Sequence, residues 1–340
     1  MPGFRLFGSD GRPSEPWKGA GGDFRWSKGR RSLGGLSGGG EALALAIFLG
    51  MEALWGAGLV TDIHVVGERI YAVRPGGLTV GVGARMEWVH RPEFRWIAFE
   101  PIQIGDQNHF LAVGGQPGAS GVLSDYRLMD GVEEVEVLAE DLLYDIALHS
   151  ESRRVAVACA DGRVLTARYD GNRPRAWKTR SRHTAPVRSV AFSRDGRWIA
   201  SGGLDGLVLV ADAGTNDEPL ALQDHSDQVE CVIFSPDSNS IISGARDGRV
   251  RVHSVGGRLI RSYSSLGGHR GGRPGERQNR ILSLANTPDG MVAGSSLGNV
   301  YRLSETSTAS DLAVTLDAPV NAIAVGPRVF LGGSRVHELK

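Results

Sequence analysis

Near its middle the chain repeats itself. The segments HTAPVRSVAFSRDGRWIASGGLDGLVLVADAG from His183 and HSDQVECVIFSPDSNSIISGARDGRVRVHSVGG from His225 align along their length, and DLLYDIALHSESRRVAVACADGRVLTARYDGN from Asp141 is a looser third copy. A period of about 42 residues is too short for an independent domain and too long for a heptad, so neighbouring units must share a core. Each unit reads as an alternating strand, a polar turn, a short apolar strand ending in small residues, an Asp-Gly turn and a further strand. That is one blade of a radial β-sheet array.

Weaker units continue the spacing outward. VTDIHVV, RIYAVR and LTVGV from Val60 make a first blade, and RWIAFEPIQ, HFLAVGG and GVLSDYRL from Arg95 a second. The three clear copies are the third to fifth. ILSLANT, MVAGSS and NVYRLS from Ile281 form a sixth, and VNAIAVG, VFLGGS and RVHELK from Val320 a seventh that lacks one strand. An unclosed ring would expose strand edges, so the last blade is expected to borrow its outer strand from the N-terminal side, with Ala42–Leu49 as donor. The fold class is therefore all-β, a single seven-bladed β-propeller whose last blade is closed by an N-terminal strand. Residues 41–340 form the propeller and residues 1–40 a Gly-rich basic and aromatic arm.

The two central units resemble WD40 repeats, whose blades carry a histidine before the first strand, a Ser or Thr on the second and an Asp-Gly turn. His183, Ser201, Asp205 and Gly206 match, as do His225, Ser243, Asp247 and Gly248. The resemblance implies a hydrogen-bonded His-Ser-Asp network with a structural role. In the family that network ends at a tryptophan on the third strand, and here Ala211 and His253 stand at that position, so the network is expected to be truncated. The resemblance also implies a scaffold that holds protein partners, for instance as a subunit of a large, bacterial-type assembly.

Composition bounds the alternatives. Glycine supplies 48 of 340 residues, which implies many tight turns, while Lys plus Arg and Asp plus Glu both number 38, so no global field drives the chain onto nucleic acid or an anionic membrane. Cys159 and Cys231 lie far apart in apolar runs and read as buried thiols in a reducing compartment, hence a cytoplasmic protein. The apolar run Ala42–Val60 follows Lys28, Arg30 and Arg31 as a signal sequence would, but a Gly/Ser-rich stretch and Glu41 intervene. Glu52 at mid-segment opposes membrane insertion, and buried strands are the expected reading.

No catalytic motif is present: there is no Gly-x-Ser-x-Gly, His-Glu-x-x-His or phosphate-binding loop, and the histidines lack metal-ligand spacing. No cofactor, metal or catalytic residue is expected. Asp62, His64, Asp145 and Glu230 lie scattered on inner strands, too few for the alternative of a propeller enzyme with a channel site. Charge is segregated instead. Arg173, Arg175, Lys178, Arg180, Arg182, Arg188 and Arg194 form a basic stretch in blade three, whereas Asp130, Glu133, Glu134, Glu136, Glu140 and Asp141 make blade two acidic. This favours docking to one or more proteins by complementary charge. A nucleic-acid-associated role for residues 173–194 ranks lower, with Trp177 the one aromatic available for stacking. Beside the matched histidines and turns, Arg182, Arg188, Leu204, Glu230 and Arg246 are the expected partner contacts. The loop Leu266–Arg280 is a further candidate, because long loops on rigid scaffolds carry function.

Overall fold

The computed structural model describes residues 5–7, 59–74, 76–82, 85–104, 107–170, 173–264, 266 and 279–339. These form seven antiparallel sheets and, among the described residues, no helix. Blades 1 to 6 have four sequential strands each, running over residues 62–90, 95–139, 143–182, 187–222, 229–263 and 281–315, and blade 7 has three, over 322–339. The innermost strands pack against one another in sequence order, and the inner strands of blades 7 and 1 meet to complete the circle. The Val60 amide donates to Gly333 O at 2.8 Å and Asn321 Nδ2 to Val60 O at 3.1 Å across that seam. The proposed closing strand Ala42–Leu49 and the loop residues 267–278 lie outside the described residues. The loop's two ends are tied together, for the Asn279 amide donates to Leu266 O.

Within the N-terminal arm, Arg5–Phe7 is a strand that pairs in parallel with the outer strand of blade 2, Glu133–Ala139, which makes that blade five-stranded. The arm thus meets the propeller's own flank.

The core lies between blades rather than within them, because each sheet is apolar on both faces. Val155, Val157, Leu165 and Tyr169 face blade 2, while Ala156, Ala158 and Val164 face Val187, Val190 and Ile199 of blade 4. Small residues on the second strands set how closely blades approach: a Cβ on Gly202 would meet Val229 Cγ1 at 2.6 Å. The Asp-Gly turns of blades 3, 4 and 5 place Gly162, Gly206 and Gly248 at φ of 86°, 81° and 70°, a conformation open to glycine and costly for most side chains.

Two features of the inner strands recur. A register shift near the start of the inner strand occurs in blades 2 to 6, and it turns Ile97, Tyr144, Arg188, Glu230 and Leu282 into the central channel. Nearby, a small polar residue reaches the next blade. Asp62 Oδ2 accepts from the Phe99 amide at 2.9 Å, Asp145 Oδ2 from the Val190 amide at 2.9 Å, and Ser189 Oγ from the Val232 amide at 3.2 Å. Ser283 Oγ donates to Val320 O at 2.8 Å. These bonds staple the ring at four of its seams.

Candidate interaction surface at the channel mouth

The polar networks of blades 4 and 5 begin alike and end differently. In blade 4, His183 Nδ1 lies 3.0 Å from Asp205 Oδ1 and Nε2 lies 2.9 Å from Ser201 Oγ, and Asp205 also accepts from the Thr184 and Leu207 amides. The set stops at Ala211, which is buried. In blade 5, His225 Nδ1 lies 3.1 Å from Asp247 Oδ2 and Nε2 lies 2.8 Å from Ser243 Oγ. There Arg251, buried on the third strand, adds a guanidinium 2.7 Å from Asp247 Oδ2. His253 is buried with Nε2 on Asp224 Oδ2 at 2.7 Å. The network is therefore truncated in blade 4 and extended in blade 5. Although burial opposes its charge, His225 and Arg251 hold the Asp247 carboxyl far below the usual range. Burial, with Arg251 and His253, keeps the His225 ring below its usual pKa despite Asp247, so it is neutral.

The five expected contact residues do not share one fate. Leu204 is 5% exposed, with its amide donating to Pro186 O, so its side chain packs inside the disc and is withdrawn from the contact set. Arg182 is exposed at the end of blade 3's outer strand. Arg188, Glu230 and Arg246 come together at the mouth of the channel, a cavity of about 1520 Å³. The Glu230 carboxylate accepts from Arg188 Nε at 3.2 Å and from Arg246 Nε at 2.5 Å. Arg188 also lies over the Tyr144 ring, 4.7 Å from its centroid. Arg280 feels the same carboxylate together with Asp227, while burial lowers its pKa. Three guanidiniums thus surround one buried carboxylate.

The opposite wall of the channel is acidic, and here the structure corrects the expectation of scattered groups. Asp62, His64 and Asp145, joined by Glu100 of blade 2, lie within electrostatic reach of one another. His64 Nε2 lies 3.5 Å from Asp62 Oδ2. Burial alone would depress the imidazole, but Asp62, Glu100 and Asp145 raise it to about 9. Burial pushes Glu100 and Asp145 up to about 7. Asp62 and Asp145 are committed to backbone amides of their own and the next blade, so the cluster is stapled into the fold rather than arranged around a reacting atom. Among the described residues no group of three His, Cys, Asp or Glu side chains is placed to hold a metal ion. Cys159 and Cys231 are buried free thiols, the first pushed by burial to about 12 and the second higher still.

On the flank, the acidic and basic stretches partly answer each other. Trp177 Nε1 donates to Glu136 at 3.4 Å, and Arg173 and Arg175 pull down a Glu136 carboxyl that burial pushes up. Glu133 is not a surface charge: it is buried and takes hydrogen bonds from Ser124 and, at 2.9 Å, from His90. Arg180 ties blade 3 to Asp212 O and Asp217 O of blade 4.

Sequence reasoning missed Arg251 and the inter-blade staples. The staples have a signal, since Asp62, Asp145, Ser189 and Ser283 occupy one register of the repeat (VTDIHVV, LYDIALH, VRSVAFS, ILSLANT). Arg251 has none, because an arginine on a third strand reads as solvent-facing.

Comparison with known proteins agrees with this geometry. The family model "WD domain, G-beta repeat" matches residues 177–212 and 218–254, the units of blades 4 and 5. WD repeat-containing protein JIP5 of Phaeosphaeria nodorum is 37% identical over 92 residues, covering 22% of this chain and 21% of its own length. The chain thus spans about a fifth of that relative. A chain from the crystal structure of a mitotic checkpoint complex superposes with a TM-score of 0.65 at 13% identity, over 84% of this chain and 91% of that one, and so shares the fold. Two matched repeats inside a closed ring of seven blades identify the chain as a WD40-repeat β-propeller.

Proposed function

We propose that the chain is a non-catalytic scaffold that docks protein partners over the channel mouth. WD40 propellers generally serve as interaction scaffolds, and the structural neighbour comes from a multi-protein complex. The observation that carries the reading is the cluster of Arg188, Arg246 and Arg280 around Glu230. A buried carboxylate fixes two guanidiniums in place while their remaining donors face the channel, which suits recognition of an acidic or carbonyl-rich loop. No nucleophile accompanies them. The test is Arg246→Gln and Arg182→Glu, singly and together, in affinity purification from the native source with mass spectrometry. Folded variants, checked by circular dichroism, should lose the partners that the wild-type chain retains. An unchanged partner set would overturn the assignment to this face.

A further inference from the structure

The second, third and fourth strands of blade 3 carry arginines at directly opposed positions. Arg154 is the register partner of Arg168, and Arg168 that of Arg175. Opposed residues share a face, and here it is the face of Ala156 and Val164, turned toward blade 4. Lys178, opposite Thr166, extends the row. Like charges placed directly across a sheet repel, so such a ladder weakens the blade that carries it. Of its members, Arg175 is paired with Asp170, whereas Arg154, Arg168 and Lys178 have no acidic partner among the described residues.

The neighbouring blade leaves this face open. Blade 3 ends in a nine-residue outer strand, Pro174–Arg182, while blade 4 ends in a three-residue strand, Leu220–Leu222, too short to cover it. Arg168, Arg175 and Lys178 are accordingly exposed. From these observations we infer that the blade 3 face is a docking site for an acidic peptide segment of a protein partner. Guanidiniums about 4.8 Å apart from strand to strand can each meet a carboxylate of an extended chain laid across them. The peptide lies on the face rather than extending the sheet, because Pro174 and Ala176, at φ 58°, blunt the edge strand. Nucleic acid fits less well. Trp177 points to the other face, where it packs in the core between blades 2 and 3 and bonds Glu136, so the ladder has no ring on which a base could stack.

This surface adds to the scaffold reading but does not depend on the channel mouth, and the two are separable. The probe is a fluorescein-labelled octaglutamate peptide, with octaglutamine and a single-stranded RNA octamer as comparisons, titrated by anisotropy at two salt concentrations. Arg154→Gln, Arg168→Gln and Lys178→Gln combined should weaken octaglutamate binding roughly 30-fold, and salt should weaken the wild type but hardly the variant. Arg246→Gln should bind as the wild type does. The triple variant should melt no lower than the wild type, and about 1 °C or more higher, because repulsion has been removed. A wild type that fails to bind octaglutamate, a triple variant that binds equally well, or RNA binding tighter than octaglutamate with the same sensitivity would each overturn the inference.

Discussion

Replacing Glu230 tests whether the channel mouth is held by charge or by shape. Its side chain is 4% exposed, and its two partners Arg188 and Arg246 are 23% and 27% exposed. Removing one member of a buried pair typically costs 3–5 kcal/mol, since the other charge is left uncompensated. Here the orphaned guanidiniums keep about a quarter of their exposure and recover some hydration, which places Glu230→Ala at the low end, near 3 kcal/mol. Glu230→Gln retains the volume and one acceptor oxygen and should cost about 1–2 kcal/mol. Although burial pushes this carboxyl up, Arg188 and Arg246 outweigh it and hold it below the usual range. A depressed folded-state pKa means a stabilisation present above the unfolded carboxylate pKa and lost as pH falls through the folded one. Urea unfolding at pH 7 should therefore separate wild type, Gln and Ala in that order at constant slope, and the wild-type advantage over Gln should shrink below about pH 4. A Gln variant as stable as the wild type at pH 7, or a gap that persists undiminished at pH 3, would refute the account.

The two histidine networks should respond unequally to the same change. Asp205→Asn faces a histidine and backbone amides and should cost about 1–2 kcal/mol, whereas Asp247→Asn also strands the buried Arg251 and should cost about 3–5 kcal/mol, as read by denaturant midpoints. Asp145 works in the opposite pH sense to Glu230. Its folded-state carboxyl is raised to about 7, so the unfolded chain gives up the proton first and stability falls as pH rises from about 4 to 7. Asp145→Asn should flatten that part of the melting profile, and a profile as steep as the wild type's would count against Asp145 as the titrating group.

How much of this was legible depended on whether a residue's role repeats. The blades were readable because Asp-Gly turns and apolar strands recur at a fixed spacing, and the His183 and His225 networks because motif and geometry coincide. The meeting of Asp62, Glu100 and Asp145 was not, because ring closure brings together three inner strands whose neighbourhood no local pattern records. Leu204 failed for a related reason. Its place beside a turn suggests exposure, but the turn folds back so that its amide reaches Pro186 O and the side chain enters the core. Glu133 sat in an acidic run and was buried all the same, because Ser124 and His90 give it partners.

The same test of partnership separates charges that build the disc from charges that present it. Glu230 has two guanidiniums, Asp247 has His225 and Arg251, and Asp62 and Asp145 have amides on two blades. Each is a buried group whose removal strands another, so each is held by stability alone and needs no ligand to account for it. Arg154, Arg168 and Lys178 fail the test in the other direction. They stand in a row of like charge on an uncovered face, and stability would be served by replacing any one of them with threonine. Folding energetics therefore explain the acidic wall and the paired mouth, and leave the ladder as the part of the surface whose charge must be answered from outside the chain.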